Sequence, residues 1–168
     1  QAEWQRQAAE EEFTEGRQAF LDSLDLVMEL RPATEEDLSR ASELTVRTHQ
    51  LNSTGLTYGI DELRRLSSSP DHQVLLARLR DRFGDYGIIG LAVTELTGQD
   101  AVLRALADGR RPVAHFIPTE VNRNMLVTMR FAGYEATVTD EDRLVLTVDP
   151  ERPLPQAPGH TRVIAGAA

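Results

Sequence analysis

The chain has 168 residues with 40% hydrophobic and 27% charged side chains, which suits one domain that buries its core without disulfides or metals. The formal net charge of −9 argues against a general nucleic-acid binder. The sequence has no Cys, and its 18 basic residues are all Arg, so thiol nucleophiles, thiolate metal sites and lysine Schiff bases are excluded.

The amino-terminal part of the chain predicts a helix followed by a short strand. Apolar residues recur at helical spacing among Glu and Gln over residues 1–24, and residues 26–30 are a strand candidate. Thr34 then stands three residues before Asp37, which is the spacing of a capping box at the start of a helix. We therefore expect a helix, a strand and a second, capped helix in this order.

Two helices separated by a polar loop are expected next. Residues 38–48 keep the helical spacing of apolar positions, and residues 48–55 are mostly polar. A short amphipathic segment covers residues 60–66, and the run of Ser before Pro70 is typical of a helix end. The polar loop is therefore framed by two helices.

The middle of the chain predicts a β-hairpin. Residues 73–80 form a strand with one apolar face, and residues 81–87 are rich in turn-forming types. Residues 88–96 form a second strand that is apolar on both faces at its start. We therefore expect this second strand to lie in the centre of the sheet.

The last third predicts a helix fragment, two strands and a tail. Residues 101–107 have a helical pattern, and residues 113–117 are a buried strand candidate. Residues 144–148 are expected to form the last strand. From residue 150 onward the chain is rich in Pro, Gly and Ala, which predicts a loose tail.

A further helix is expected over residues 122–132. Met125, Leu126 and Met129 share one face, which we expect to point inward and to bury Met129. Gly133 stands where the first residue beyond a helix often adopts a left-handed conformation. The helix should therefore end just before Gly133.

This order of elements resembles that of GNAT (GCN5-related N-acetyltransferase) domains. Residues 31–34 (Arg-Pro-Ala-Thr) with Asp37 are similar to the opening of such a domain. Residues 122–134, which end in Gly-Tyr, are similar to the GNAT helix that packs beside the thioester cofactor. The resemblance implies an α/β, GNAT-like acyltransferase fold, in which a mixed central sheet has helices on both faces.

A closer resemblance is to the carboxy-terminal half of the FkbH-like proteins of polyketide biosynthesis. Four motifs stand in that family's order: Thr-His-Gln-Leu-Asn at 48–52, Asp-Arg-Phe-Gly-Asp-Tyr-Gly at 81–87, Asn-Arg-Asn-Met at 122–125 and Phe-Ala-Gly-Tyr at 131–134. The resemblance implies an acyl carrier protein as partner. Such carriers are usually acidic, so this acidic chain would need a local Arg patch to bind one. Family members usually carry an upstream HAD-like phosphatase domain, which is implied as a second partner.

The same resemblance divides the chain into a linker helix at 1–24, a GNAT-like domain at 25–149 and a Pro- and Gly-rich tail at 150–168. GNAT domains have a further strand and a Gly-rich turn that binds the cofactor pyrophosphate at a helix N-terminus. Here the chain runs directly from Gly98 to Ala101. Either this segment is deleted, or the sequence does not represent it. We favour the second reading, because a deletion would leave strand groups unpaired.

The loop after the first helix of a GNAT domain lines the acceptor side. The resemblance therefore makes His49 the candidate general base, since an imidazole titrates near neutral pH, and Asn52 and Thr48 candidate donors to an acyl carbonyl. Tyr134 lies where GNAT enzymes often keep the general acid for the leaving thiolate. As alternatives, His49 and Asn52 are loop residues that bond to the backbone, and Tyr134 is a buried ring at a helix end.

The cofactor implied by the resemblance is a phosphopantetheine thioester on the carrier or an acyl-CoA, and no metal is expected in this domain. The candidate contacts to it are Asn122, Arg123 and Met125. Asn122 is equally suited to be a helix N-cap, and Arg123 either binds phosphate or is solvated. His115 is expected to have a structural role in its strand.

The preferred hypothesis is an acyltransferase that acts on an acyl or glyceryl thioester of an acyl carrier protein. The alternatives are a non-catalytic docking module for a carrier or the phosphatase-like domain, and a free-standing N-acetyltransferase. Asp81 and Asp85 are interpreted as turn residues, and Arg82 stays open between an ion pair and a role at the site mouth. No apolar run reaches the roughly 20 residues of a membrane helix and no signal peptide is visible, so we expect a cytoplasmic chain.

Overall fold

A computed structural model of the chain describes residues 17–95, 113–139, 143–149 and 157–166. The helix predicted at 101–107 and the junction between Gly98 and Ala101 lie outside the described residues, as does most of the helix predicted at 1–24. No helix in the described ranges is long and apolar enough to cross a membrane.

The described elements alternate between helices and strands, as the sequence predicts for an α/β protein. In chain order they are α1 (Arg17–Asp22), β1 (Leu26–Pro32), a 3-10 turn (Glu35–Asp37), α2 (Leu38–Arg47), α3 (Ile60–Ser67), β2 (His72–Asp81), β3 (Gly84–Glu95), β4 (Val113–Phe116), α4 (Arg123–Phe131), β5 (Tyr134–Thr139), β6 (Arg143–Val148) and β7 (Thr161–Ala165).

Four strands form a mixed sheet in the order β3–β2–β1–β7. β2 pairs antiparallel with β1 and β3, which confirms the predicted hairpin, and β7 runs parallel to β1. The turn between β2 and β3 is shorter than the predicted 81–87, because both strands extend into that range.

The expectation that the strand after the hairpin turn is central was wrong for the described strands. β3 lies at one end of the four-stranded sheet. Its apolar residues have another explanation, because Ile88, Leu91 and Val93 pack against the core formed with α2 and α3. Register shifts in the β2–β3 pairing bend the ladder, and Ile89 at one of them is 43% exposed.

Helices cover both faces of this sheet. On one face α2 and α3 pack on β2, in a core of Leu38, Ala41, Leu63, Leu66, Val74 and Leu76. On the other face α1 contributes Phe20 and Leu24, which pack with Leu26, Leu79 and Phe83. Leu76 and Leu79 are an odd number of positions apart on β2, so they point to opposite faces. Two separate apolar clusters therefore sandwich the sheet.

Three further strands form a second sheet in the order β4–β6–β5. β6 pairs antiparallel with both neighbours, so β4 and β5 run parallel, and α4 connects them. This is a split β–α–β unit, in which a later strand inserts between two parallel strands. β5 was not predicted from the sequence, and β4 is less buried than predicted, since Val113 is 40% exposed and Phe116 is buried.

The prediction that residues 144–148 are the last strand and that a loose tail follows was wrong. β7 lies within that tail and adds a parallel strand to the edge of β1, with Thr161 opposite Leu26. The backbone groups along this edge of β1 are hydrogen-bonded in the ladder as a result. The division of the chain at residues 24 and 149 stays a prediction, although Phe20 and Leu24 are buried in the core of the first sheet.

Helix α4 follows the sequence prediction in its bounds but not in its burial. Gly133 has φ +89° directly after the helix, which confirms the left-handed residue expected there. Met129 is only half-buried and no residue of α4 is fully buried, so the predicted burial of Met129 was wrong. The helix contacts β5 along one side, and Phe131 at its end is 85% exposed.

Candidate functional site

The loop after α2 meets the junction between β4 and α4. The side-chain amide of Asn122 donates to the backbone carbonyls of Asn52 at 3.0 Å and Ile117 at 2.9 Å. In the same place the backbone N–H of Ile117 donates to the carbonyl of Ser53 at 2.9 Å. Two hydrogen bonds therefore hold the loop against the junction, and the bond from Asn122 to Ile117 braces the junction itself.

Asn122 is 1% exposed and uses its amide within the protein. Its side-chain Oδ1 accepts from the backbone N–H of Thr119 at 2.8 Å, and the backbone N–H of Asn122 donates to the Thr119 hydroxyl at 3.2 Å. Both N–H groups of the amide are taken by the carbonyls of Asn52 and Ile117. Asn122 thus organises the junction, and its amide has no donor left for a pantetheine arm.

The side chain of Asn52 closes its own loop. Its Oδ1 accepts from the backbone N–H groups of Thr54 at 3.1 Å and Gly55 at 2.9 Å, and its Nδ2 donates to the carbonyl of Leu56 at 2.8 Å. Gly55 has φ +70°, a conformation that glycine adopts without strain. This pattern is an Asx turn, the alternative reading of Asn52.

His49 and Thr48 precede this turn at the end of α2. The backbone N–H of Thr48 donates to the carbonyl of Leu44 at 3.0 Å, which finishes the helix. His49 is exposed, and within the described residues its side chain forms no hydrogen bond or ion pair. Its imidazole is therefore accessible to solvent and to a reactant.

The remaining predicted site residues lie on α4 and β5. Arg123 is exposed in the first turn of α4, where the N-terminal end of the helix and a guanidinium together suit a phosphate. Met125 is half-buried one turn from Asn122. Tyr134 is half-buried at the start of β5, and burial raises the pKa of its phenol. The phenol therefore stays protonated at neutral pH and is able to donate a proton.

The structure brings Asn52 and Asn122 into contact, with His49 three positions before Asn52. A cavity formed by the described residues lies elsewhere, at the end of the four-stranded sheet; Arg82 lines it, but none of the residues predicted for catalysis or cofactor binding does. His115 is exposed on β4 opposite Val145, away from the core of its sheet.

The hairpin residues have the turn chemistry expected of them. Asp81 accepts from the backbone N–H groups of Phe83 at 2.8 Å and Gly84 at 3.1 Å. Asp85 forms an ion pair with Arg78 and accepts from a backbone N–H further along the turn at 2.7 Å. The guanidinium of Arg82 lies 4.7 Å above the Phe83 ring, in a cation–π arrangement.

Sequence reasoning missed the role of Thr119. Thr119 and Asn122 exchange two side-chain to backbone hydrogen bonds over a three-residue interval, which is the reciprocity of a capping box. The spacing Thr-x-x-Asn ahead of an apolar helix is the signal that would have found it.

An ion pair fixes the start of α2 against the end of β1. The guanidinium of Arg31 donates to Asp37 at 2.5 and 2.8 Å, and Thr34 donates to the same carboxylate through its backbone N–H and its hydroxyl, each at 2.8 Å. Arg31 and then Thr34 hold the pKa of Asp37 far below its usual range. The contacts between Thr34 and Asp37 confirm the predicted capping box, which starts the 3-10 turn that leads into α2.

No family model matches the chain, and no curated protein matches it. The resemblance to GNAT domains and FkbH-like proteins rests on the sequence motifs.

Proposed function

We propose that the chain is the GNAT-like domain of an FkbH-type protein, and that it acts on an acyl or glyceryl thioester of an acyl carrier protein in the cytoplasm. The observation that carries the proposal is the contact between the loop after α2 and the β4–α4 junction. In GNAT domains this loop lines the acceptor side, and the helix after the junction packs beside the thioester. Acceptor and thioester would therefore meet here.

The strand arrangement supports the same reading. The sheet β3–β2–β1–β7 and the sheet β4–β6–β5 would be the two halves of a GNAT sheet. The split β–α–β unit places the N-terminal end of α4 at the end of β4, where ligands of α/β proteins commonly bind. The phosphopantetheine arm would lie along this end of β4.

The reaction would be acyl transfer at the thioester carbonyl. The acceptor attacks the carbonyl carbon, the C–S bond breaks, and the sulfur leaves as a thiolate that takes up a proton. His49, which is exposed, would remove the proton of the acceptor, and Tyr134, whose pKa is raised by burial, would protonate the thiolate.

The donor set fits a phosphopantetheine or acyl-CoA substrate in part. Arg123 would contact the phosphate, and Met125 the apolar part of the arm. The side-chain amides of Asn52 and Asn122 donate to backbone carbonyls of the protein. They would therefore position the loop and would not bind the acyl carbonyl or the phosphopantetheine arm.

The same two amides favour a second candidate function. A domain that no longer needs donors for the substrate can use both Asn side chains for its own structure. The chain would then be a non-catalytic module that docks a carrier protein or an upstream HAD-like phosphatase domain. The free-standing N-acetyltransferase has no observation in its favour.

A transfer assay separates the two functions. The chain is incubated with an acyl- or glyceryl-loaded carrier and an acceptor, and intact mass spectrometry follows loss of the acyl group. Transfer that falls about 100-fold or more in His49→Ala, but not in His115→Ala, supports catalysis by His49. If the chain transfers no acyl group but binds the carrier more tightly than an unrelated acidic protein, the result supports the non-catalytic docking module. Neither transfer nor binding overturns both.

A further inference from the structure

A cavity of about 650 Å³ opens at the end of the four-stranded sheet. Its walls come from three segments, which are residues 22–27 around the start of β1, residues 80–82 at the end of β2 and residues 159–162 at the start of β7. None of the residues proposed for acyl transfer lines it. A ligand bound here would therefore belong to a second site.

Two arginines flank the floor of this cavity. Val27 on β1 is opposite Arg80 on β2 and opposite Arg162 on β7. Residues directly opposite on neighbouring strands point to the same face. Strands are about 4.8 Å apart, so the Cα atoms of the two arginines are roughly 10 Å apart. Side chains as long as Arg can converge from there on one group above Val27.

The protein's own carboxylates offset these two guanidinium groups only in part, because Asp85 lies opposite Arg80 on β3 and interacts with it electrostatically but forms its ion pair with Arg78. Arg80 and Arg162 are exposed, and within the described residues neither forms an ion pair. Other arginines of the same sheet are paired, Arg31 with Asp37 and Arg78 with Asp85. Two unpaired cations on one face of an acidic protein attract an anion between them.

The cavity also contains three carboxylates, which limit where that anion binds. Asp81 is committed to the hairpin, because its oxygens accept from two backbone N–H groups at 2.8 and 3.1 Å and from the hydroxyl of Tyr86 at 2.7 Å. Asp22 is the last residue of α1, and Asp25 lies between α1 and β1. They repel an anion, so its position is over Val27, between the arginines.

We propose that this cavity binds a small phosphate monoester, with the phosphate held between Arg80 and Arg162. Two guanidinium groups match the two charges of the dianion, and each offers a pair of N–H groups to phosphate oxygens. A carboxylate carries one charge and would leave one arginine unmatched. The volume of the cavity is in the range of small-molecule binding sites and is larger than that of a phosphate group. The organic part of the ester therefore occupies the remaining volume.

Calorimetric titration of the whole chain with ribose 5-phosphate, inorganic phosphate and ribose tests the proposal. The first two should bind and ribose should not, and ribose 5-phosphate should bind more tightly because its sugar fills the cavity. Affinity should fall as NaCl is raised. If inorganic phosphate binds and the ester does not, the site takes the free ion and the monoester assignment is overturned. Absence of binding by both phosphates at millimolar concentration overturns the site.

Four substitutions locate the phosphate. Arg80→Gln and Arg162→Gln should each weaken ribose 5-phosphate about 10-fold or more, whereas Arg130→Gln, an exposed arginine on α4, should leave affinity unchanged. Asp25→Asn should tighten binding, because it removes a like charge from the wall. Asn tolerates the left-handed backbone of Asp25, which has φ +52°.

Thermal unfolding without ligand checks that each variant folds. Should either Gln variant unfold, Arg80→Lys and Arg162→Lys replace them, since Lys keeps the stem and charge but loses the two-pronged contact. Equal affinities for the Arg130 variant and the two cavity variants would place the phosphate elsewhere and overturn the proposal.

Discussion

The side-chain amide of Asn122 donates to the backbone carbonyl of Asn52 at 3.0 Å, across 70 positions of the sequence. The bond joins the loop after α2 to the start of α4. Asn122 also bonds to Ile117 and Thr119, and it is 1% exposed. Water has almost no access to these groups, so they depend on this one side chain for their hydrogen bonds.

We expect Asn122→Ala to lower the free energy of unfolding by about 3 kcal/mol, because each buried polar group left without a partner costs roughly 1–3 kcal/mol. Asn124→Ala removes the same side chain from an exposed position two residues away and should cost less than about 0.5 kcal/mol. Urea unfolding at neutral pH measures both. Similar small losses in the two variants would mean that the junction is held by other groups.

The ion pair of Asp37 with Arg31 should make stability depend on acid pH. Arg31 and Thr34 hold the pKa of Asp37 below its unfolded value of about 3.9. A depressed pKa contributes stability above the unfolded pKa, and this contribution is lost as pH falls toward the folded pKa. Asp37→Asn should therefore be less stable than the wild type by about 3 kcal/mol at pH 7, and the difference should shrink below pH 4.

Urea unfolding of both proteins between pH 7 and pH 2 measures this convergence. Glu43→Gln is the matched control, because Glu43 pairs with Arg40 and Arg47 at the surface and should change stability little. A difference between Asp37→Asn and the wild type that stays constant down to pH 2 would contradict the ionic origin of the stabilisation.

Local features of the fold were predictable from the sequence, and non-local ones were not. The hairpin of β2 and β3 and the capping box of Thr34 and Asp37 at the 3-10 turn before α2 depend on residues close in sequence, so alternation and spacing reveal them. β7 forms because it pairs with the free edge of β1. The residue pattern of 161–165 does not indicate that this segment pairs with a strand that begins at residue 26. The position of β3 likewise depends on packing against α2 and α3.

The candidate site shows the same limit. The motifs made Asn52 a candidate donor to the acyl carbonyl and Asn122 a candidate contact to the cofactor, and these two residues are hydrogen-bonded to each other. Their hydrogen-bonding capacity, however, is used by Leu56, Thr119 and other backbone groups that only the folded chain brings together. The residue type determines which hydrogen bonds a side chain is able to form. The neighbouring groups in the folded chain determine whether those donors and acceptors remain available to a substrate.

Two glycines allow a test of backbone conformation alone. An added Cβ would meet nothing within 4 Å at either Gly59 or Gly87, but Gly59 has φ −74° and Gly87 has φ +71°. Gly59 is the N-cap of α3, so Gly59→Ser should stabilise the protein by about 0.5–1 kcal/mol through the cap and the less flexible unfolded chain. Gly87→Ser should destabilise it by about 1 kcal/mol or more. Thermal or urea unfolding gives the sign, and stabilisation by both would contradict the conformational argument.

Tyr134 allows a test of the proposed acid in acyl transfer. Burial raises the pKa of its phenol, so the hydroxyl should stay protonated from pH 7 to pH 9, and the wild-type rate should not fall in this range through loss of that proton. Tyr134→Phe keeps the ring and removes the proton, so transfer should slow by about 100-fold or more while carrier affinity and stability change little. Tyr58→Phe is the matched control, because burial also raises the pKa of Tyr58, which lies just before α3. Measured by single-turnover transfer from a loaded carrier, equal rates in the two variants would exclude Tyr134 as the acid.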